Sequence, residues 1–185
     1  EGAADNYQMS VTKLSLNGQG ISLDSKLNQL QNVIVDRRSS GTVVIGNGNT
    51  TAADLNVSLG YTSESDVNKF EGSLTVHNYA SGEANKIVVN QILGATGDIK
   101  LINDEANVEI VGSGSATNLV AANITLQSKY DVIHNGGTIT ATDKVFLEAD
   151  GNILLQSGAM QTRNLDLLAL GYIDETYDNS YTEAN

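Results

Sequence analysis

The sequence predicts an all-β fold in which short strands stack as the coils of a β-solenoid. A recurring phrase carries this prediction: a turn residue, then two apolar residues that flank one outward residue. Examples are Asp98-Ile99-Lys100-Leu101, Asn123-Ile124-Thr125-Leu126 and Asn164-Leu165-Asp166-Leu167. Such alternation places successive side chains on opposite faces of a strand. The chain also lacks proline, which cannot donate to a strand ladder.

The starts of the strands recur at a longer period. Leu14, Val33, Leu55 and Leu74 follow one another at steps of 19, 22 and 19 residues, and Ile99, Ile124, Val145 and Leu165 at steps of 25, 21 and 20. A repeat of about 20 residues with two or three short strands is typical of one solenoid coil. The chain of 185 residues therefore predicts roughly eight or nine coils in a single domain.

The pattern divides the chain into three parts. Residues 1–10 are a polar lead-in, residues 11–170 form the solenoid domain, and residues 171–185 form an acidic tail that contains tyrosines. Within the domain, apolar segments bounded by turn residues predict strands. They include residues 14–16, 21–23, 33–35, 43–45, 74–76, 87–89 and 138–140.

Two segments interrupt the repeat and supply the candidate interaction residues. The polar insertion between Gly60 and Glu71 is either a solvated loop or a projection that carries binding contacts, as insertions in solenoids commonly do. The tail is either a disordered linker or a strand that pairs with a neighbour. The candidate residues are Tyr61, Glu64, Asp66 and Lys69 in the insertion, and Tyr172, Tyr177 and Tyr181 in the tail.

Charge and composition exclude several classes of protein. The formal net charge is −12, from 22 acidic residues against ten lysines and arginines, whereas nucleic-acid binding needs many cations. No apolar run approaches the length of a membrane span. Because cysteine is absent, disulfides, thiolate metal sites and a cysteine nucleophile are excluded.

Few residues suggest a catalytic or metal-binding site. His77 and His134 have no evident partners at metal-binding or acid–base spacing, so each is expected to be solvated or to cap a ladder. No cofactor is expected, although calcium would suit the abundant oxygen ligands. These ligands are Asp104-Glu105, Asp143, Asp150 with Asn152, and Asp174-Glu175. Solvated turn carboxylates remain the favoured interpretation, because no EF-hand or calcium-binding nonapeptide array is present.

The coils of about 20 residues, their Asn-Ile-x-Leu phrases and their glycine-rich corners resemble the repeat rod of filamentous haemagglutinin, an adhesin family exported by two-partner secretion. The resemblance is best over residues 97–169 and fainter over residues 11–91. It implies a right-handed parallel β-helix, located extracellularly, that has no chemistry of its own. The family's secretion domain carries Asn-Pro-Asn motifs, which a chain without proline cannot contain. The resemblance therefore implies a rod segment or a variant subunit.

The sequence leaves three functions open. The leading hypothesis is a secreted or cell-surface rod: an adhesin stalk, or a fibre subunit that stacks through its ends. Its expected partners are a surface glycan or protein of a host or neighbouring cell, and the chain itself, end to end. The enzyme alternative is a β-helix polysaccharide lyase or hydrolase that acts on an extracellular glycan. An ice-binding solenoid is disfavoured because Thr138-Ile139-Thr140 has no matching pair one coil away.

Overall fold

The computed structural model describes residues 8–36, 38–49, 53–59, 69–112 and 118–175. In these residues the fold is all-β, a parallel β-solenoid. The strands are β1 Ser10–Leu16, β2 Gln19–Leu23, β3 Gln29–Val35, β4 Ser40–Asn47, β5 Leu55–Ser58, β6 Glu71–Asn78, β7 Ile87–Val89, β8 Leu93–Gly94, β9 Ile99–Asn103, β10 Val108–Val111, β11 Asn118–Ser128, β12 Val132–Ala149, β13 Ile153–Gln161, β14 Asn164–Ala169 and β15 Ile173–Glu175. Over the same ranges there is no helix that could cross a membrane.

The strands form three stacked ladders, which we call faces A, B and C. Face A contains β1, β3, β5, β7, β10, the start of β12, the start of β13, and β15. Face B contains β2, β4, β6, β9, the second half of β11, the end of β12, and β14. The shorter face C contains β8, the start of β11 and the middle parts of β12 and β13. Every pairing is parallel. The turns that include a face C strand pass through the faces in the order A, C, B, whereas β1 and β3 of face A are followed in the chain by β2 and β4 of face B.

The described residues form about seven turns, fewer than the eight or nine predicted for the whole chain from the repeat. The third turn is longer than the others because it contains the insertion that follows Gly60. The predicted step from Leu55 to Leu74 is wrong, since Leu55 lies on face A opposite Ile87, while Leu74 lies on face B opposite Val43. In the second half, the predicted repeat is confirmed: Ile99, Ile124, Val145 and Leu165 are successive register partners on face B.

The core is a set of apolar rows that run along the axis. On face B, one row contains Val43, Leu74, Ile99, Ile124 and Val145, each at most 1% exposed. The outward residue that follows each of them is partly or fully exposed, as for Lys100 in β9. In-register parallel stacking brings similar side chains together in successive turns. Each fully buried Val, Leu or Ile contributes about 1.5–3 kcal/mol of burial free energy.

A row of buried asparagines ends face B. Asn47, Asn78 and Asn103 are register partners, and each is at most 1% exposed. The side-chain amide of Asn47 donates to Oδ1 of Asn78 (2.9 Å), and that of Asn78 donates to the carbonyl oxygen of Asn85 (2.7 Å). Buried amides need such partners. The row therefore fixes the corner at which the chain turns from face B to face A.

A glycine pair at the start of face B shows how closely the turns approach. Gly41 and Gly72 are register partners with φ values of 75° and 149°. A Cβ on Gly72 would lie 1.9 Å from the carbonyl oxygen of Gly41. Only glycine fits this conformation and this contact.

Paired structure extends beyond residues 11–170 at both ends. Ser10, the last residue of the predicted lead-in, begins β1, and the preceding Met9 accepts a hydrogen bond from the backbone of Gln29 (2.7 Å). At the other end, Ile173 of the predicted tail pairs with Ile153 on face A. Of the two alternatives for the tail, pairing as a strand holds for the residues of β15. Residues 1–7 and 176–185 lie outside the described part of the chain.

Candidate functional site

The candidate site is a shallow groove on the outside of the rod, where face B turns toward face A. We call it the corner groove. It is lined by Ile102, Asn103, Asp104, Glu105, Gln127, Ser128, Lys129, Glu148 and Asp150. Two outward rows build it. Ile102, Gln127 and Glu148 form the row on the strands, and Asp104, Lys129 and Asp150 follow two residues later in each turn.

The corner groove is acidic, with four carboxylates and one lysine. The ammonium of Lys129 lies 2.6 Å from Oδ2 of Asp150. The hydrogen bond and the charge of Asp150, with a smaller contribution from Glu105, raise the pKa of Lys129. In the other row, the side-chain amide of Gln127 donates to Glu148. The lysine thus offsets only part of the negative charge, and the surface favours hydrogen-bond donors and cations.

His77 and Tyr79 extend the corner groove by one turn. Nε2 of His77 lies 2.9 Å from Oδ1 of Asp104, and its ring centre lies 3.8 Å from that of Tyr79. Burial, followed by the charges of Asp24 and Asp104, raises the pKa of Tyr79. The carboxylate partner of His77 was not evident from the sequence. The partner lies 27 residues away and reaches His77 only through the stacking of turns.

His134 is neither solvated nor at the end of a ladder, so both alternatives predicted for it are wrong. It lies in β12 in an inward row between Ile110 and Leu155, and is 1% exposed. Burial lowers the pKa of His134 to about 4, despite hydrogen bonds with the backbone of Gly136 and Gly137. His134 is therefore a neutral core residue at neutral pH.

Three of the residues considered as possible calcium ligands have partners within the protein. Asp150 pairs with Lys129, Asp143 accepts from the side chain of Asn164 (3.2 Å), and Asn152 donates to Asp131 (3.1 Å). Across the part of the chain that the structure describes, no three His, Asp or Glu side chains are grouped so that they could hold a metal ion.

The structure does not bring the described interaction candidates together. Tyr61, Glu64, Asp66, Tyr177 and Tyr181 lie outside the described residues. Lys69 is half-buried beside Phe70, which bridges to Ala95 on face C in the third and fourth turns. Tyr172 is 58% exposed and follows the seventh turn. Lys69 and Tyr172 therefore belong to different regions of the rod.

No protein-family model, curated protein or solved structure matches the chain. The residues of the corner groove could have been found from the register. The rule that aligns Ile99, Ile124 and Val145 places Asp104, Lys129 and Asp150 in one row, five residues further along each turn.

The corner groove has the chemistry of a polar docking surface. Its carboxylates and side-chain amides accept hydrogen bonds from hydroxyl or ammonium groups. Asp104 and Asp150 lie two turns apart, which is about 10 Å at the spacing of hydrogen-bonded strands. A sugar hydroxyl array or a basic peptide segment would match this spacing and charge.

Proposed function

We propose that the chain is a non-enzymatic structural rod, a stalk segment of a bacterial surface adhesin or a subunit of an extracellular fibre. The rod would be extended by stacking further turns on its ends. Its partners would be a surface glycan or protein and a second copy of the chain. About seven turns at about 4.8 Å each give a rod of roughly 35 Å. The continuous parallel ladders of faces A and B support this proposal.

The proposal rests on the two end turns, whose inward residues are incompletely buried and whose face B strands are paired on one side only. Inward residues at the first turn, such as Ile21, are only partly buried, whereas the register partner Val43 is fully buried. Leu167 in the last turn is likewise partly buried, and its partner Leu147 is fully buried. Among the described residues, β2 and β14 have a ladder partner on one side only. Such edges accept another strand.

The last turn also differs in its outward rows. Leu168 and Leu170 are 51% and 76% exposed, where the preceding turn carries Glu148 and Asp150. An apolar contact surface therefore appears at this end of the rod. Face A is different, because Glu175 occupies the inward position opposite Leu155. A carboxylate pointing inward opposes further pairing, so we expect stacking to be initiated on face B.

Negative-stain electron microscopy and light scattering of the purified chain test the proposal. End-to-end rods or fibres are expected to form with rising concentration. Leu167→Asp should abolish them, because it places a charge on the inward row of the exposed edge. Asp166→Asn, at the outward neighbour in β14, is the matched control and should assemble as before. A chain that remains a short monomer at every concentration, with its Glu175→Leu variant behaving alike, would contradict stacking.

A polysaccharide lyase or hydrolase is the second candidate, and the corner groove is the observation in its favour. Inverting glycosidases hold two carboxylates about 6.5–9.5 Å apart. Asp104 and Asp150 lie in one row, two turns and about 10 Å apart along the axis, which is close to the upper end of that range. Incubation with neutral and uronate polysaccharides, followed by analysis of released oligosaccharides, tests it. Cleavage that disappears in Asp150→Asn, but persists in the Asp166→Asn control, would favour the enzyme over the rod.

A further inference from the structure

A lysine and an asparagine lie side by side on adjacent turns of face A. Ile87 and Val108 are register partners, so the residues before them, Lys86 and Asn107, are neighbours across the ladder. The backbone N–H of Ile87 donates to the carbonyl oxygen of Asn107 (3.1 Å). The side chains of Lys86 and Asn107 therefore start from adjacent backbone positions.

One carboxylate oxygen contacts both side chains. Oε1 of Glu109 lies 2.9 Å from Nζ of Lys86, and it accepts a hydrogen bond from Nδ2 of Asn107 (3.2 Å). The Glu109 side chain is only 14% exposed. It therefore holds an amine and a carboxamide together in a partly shielded position.

The carboxamide of Asn107 is also held at its oxygen. The backbone N–H of Asp131, in the next turn, donates to Oδ1 of Asn107 (3.0 Å). A backbone donor at a carbonyl oxygen stabilises the negative charge that develops there during acyl transfer. The site thus contains a nucleophile, an acid–base group, an acyl group and an oxyanion donor.

We propose that Lys86 and Asn107 form an intramolecular isopeptide bond. The Lys86 ammonium gives one proton to Glu109, and the neutral amine attacks Cγ of Asn107. The new C–N bond forms as the Cγ–Nδ2 bond breaks, and Glu109 returns the proton to the leaving nitrogen. The attacking nitrogen releases a second proton as the amide forms, and the departing ammonia takes up one proton to become ammonium. The lysine ammonium and the asparagine carboxamide thus become one amide plus one ammonium ion, with no oxidant or reductant.

The ion pair determines how the reaction depends on pH. The hydrogen bond that Lys86 donates to Glu109 raises the pKa of Lys86, although partial burial acts in the opposite direction. The neutral amine is therefore scarce at neutral pH, and the rate is expected to rise with pH. This requirement for deprotonation is common to lysine nucleophiles.

The bond would join the fourth and fifth turns covalently. Residues 87–107, which make up one full turn of the rod, would lie within the closed loop. A cross-link of this kind restricts the unfolded chain and holds neighbouring turns together under tension. It would therefore resist the unstacking of turns.

Mass spectrometry tests the proposal on the folded chain after incubation at mildly alkaline pH. The intact protein should lose one ammonia. After denaturation and trypsin digestion, residues 70–100 and 101–129 should appear as one branched species, uncut at Lys86. A succinimide would also lose ammonia but would leave the two peptides separate. An intact mass that matches the unmodified sequence, with complete cleavage at Lys86, would overturn the proposal.

Three variants assign the roles. Lys86→Arg keeps a cation beside Glu109 but removes the amine, so it should yield no branched peptide. Glu109→Gln should slow the reaction by at least tenfold if Glu109 transfers the proton. Lys100→Arg is the control, because Lys100 lies outward on face B with Thr75 and Thr125 as its register partners, so the branched peptide should form as in the original chain. Equal rates in Glu109→Gln and the original chain would contradict proton transfer by Glu109. The Lys86→Arg variant separately shows whether the bond uses Lys86.

Discussion

Gly158 lies directly against the imidazole of His134 in the turn before it. A Cβ at position 158 would approach Nε2 of His134 to 2.6 Å and the carbonyl oxygen of Gly137 to 2.6 Å. The φ of Gly158 is 110°, a value that side-chain-bearing residues rarely adopt. The burial of His134 therefore depends on a glycine in the following turn.

Gly158→Ala is expected to destabilise the protein by about 2–4 kcal/mol, from backbone strain together with the steric conflict at His134. Urea unfolding followed by circular dichroism measures the loss. Gly82→Ala is the matched control, because Gly82 has a similar φ of 102° and its Cβ would meet nothing closer than 3.7 Å. Equal losses in the two variants would show that the contact with His134 contributes nothing.

Acidification is expected to destabilise the protein through His134. Above the ordinary histidine pKa of about 6.5, the residue is neutral in both the folded and the unfolded state. Between 6.5 and the folded-state pKa of about 4, only the unfolded chain takes up the proton, so stability falls as the pH falls. The total contribution is about 3 kcal/mol and is complete below about pH 4.

His134→Leu separates this effect from the titration of carboxylates, which is common to both proteins. The free energy of unfolding of the original chain should fall more steeply than that of the variant between pH 6.5 and 4. Urea midpoints at pH 7, 5.5 and 4 provide the comparison. Parallel pH profiles would mean that His134 becomes charged in the folded state without cost.

Asn78 is expected to be the most sensitive position of the asparagine row. Asn78→Ala would leave the amide of Asn47 and the carbonyl of Asn85 without this partner, at a cost of about 2–4 kcal/mol. Denaturant unfolding measures the change. Asn123→Ala is the control, because the partly exposed Asn123 donates to Asp98 (2.8 Å) and its truncation should lower the free energy of unfolding by less than about 0.5 kcal/mol. Similar costs for the two would argue against a structural asparagine row.

The sequence predicted the fold class because alternation and turn residues act locally. It also predicted the register of Ile99, Ile124 and Val145, where the turns have nearly constant length. The prediction from spacing was wrong at Leu74. The third turn contains an insertion, so Leu74 lies on face B and not on face A with Leu55. The contact of His77 with Asp104 was missed for a related reason, since it depends on register between turns.

The burial of His134 could not be predicted from the local sequence. Asn135-Gly136-Gly137 has the composition of an exposed turn, yet it lies within the continuous strand β12. The positive φ values of Gly136 and Gly137 bend β12 from face A to face C without ending it. His134 therefore keeps an inward position, although the polar, glycine-rich sequence beside it is typical of an exposed turn.

The core rows, the corner groove and the Lys86–Asn107 neighbours all depend on the register of the turns. The chain has no cysteine, so engineered pairs can be read without interference. Lys100 and Thr125 are outward register partners on face B, while Gln127 lies two residues further along. Mild oxidation followed by non-reducing mass spectrometry should give a disulfide in Lys100→Cys/Thr125→Cys, and far less in Lys100→Cys/Gln127→Cys. Equal or reversed yields would contradict the register, and with it the solenoid described.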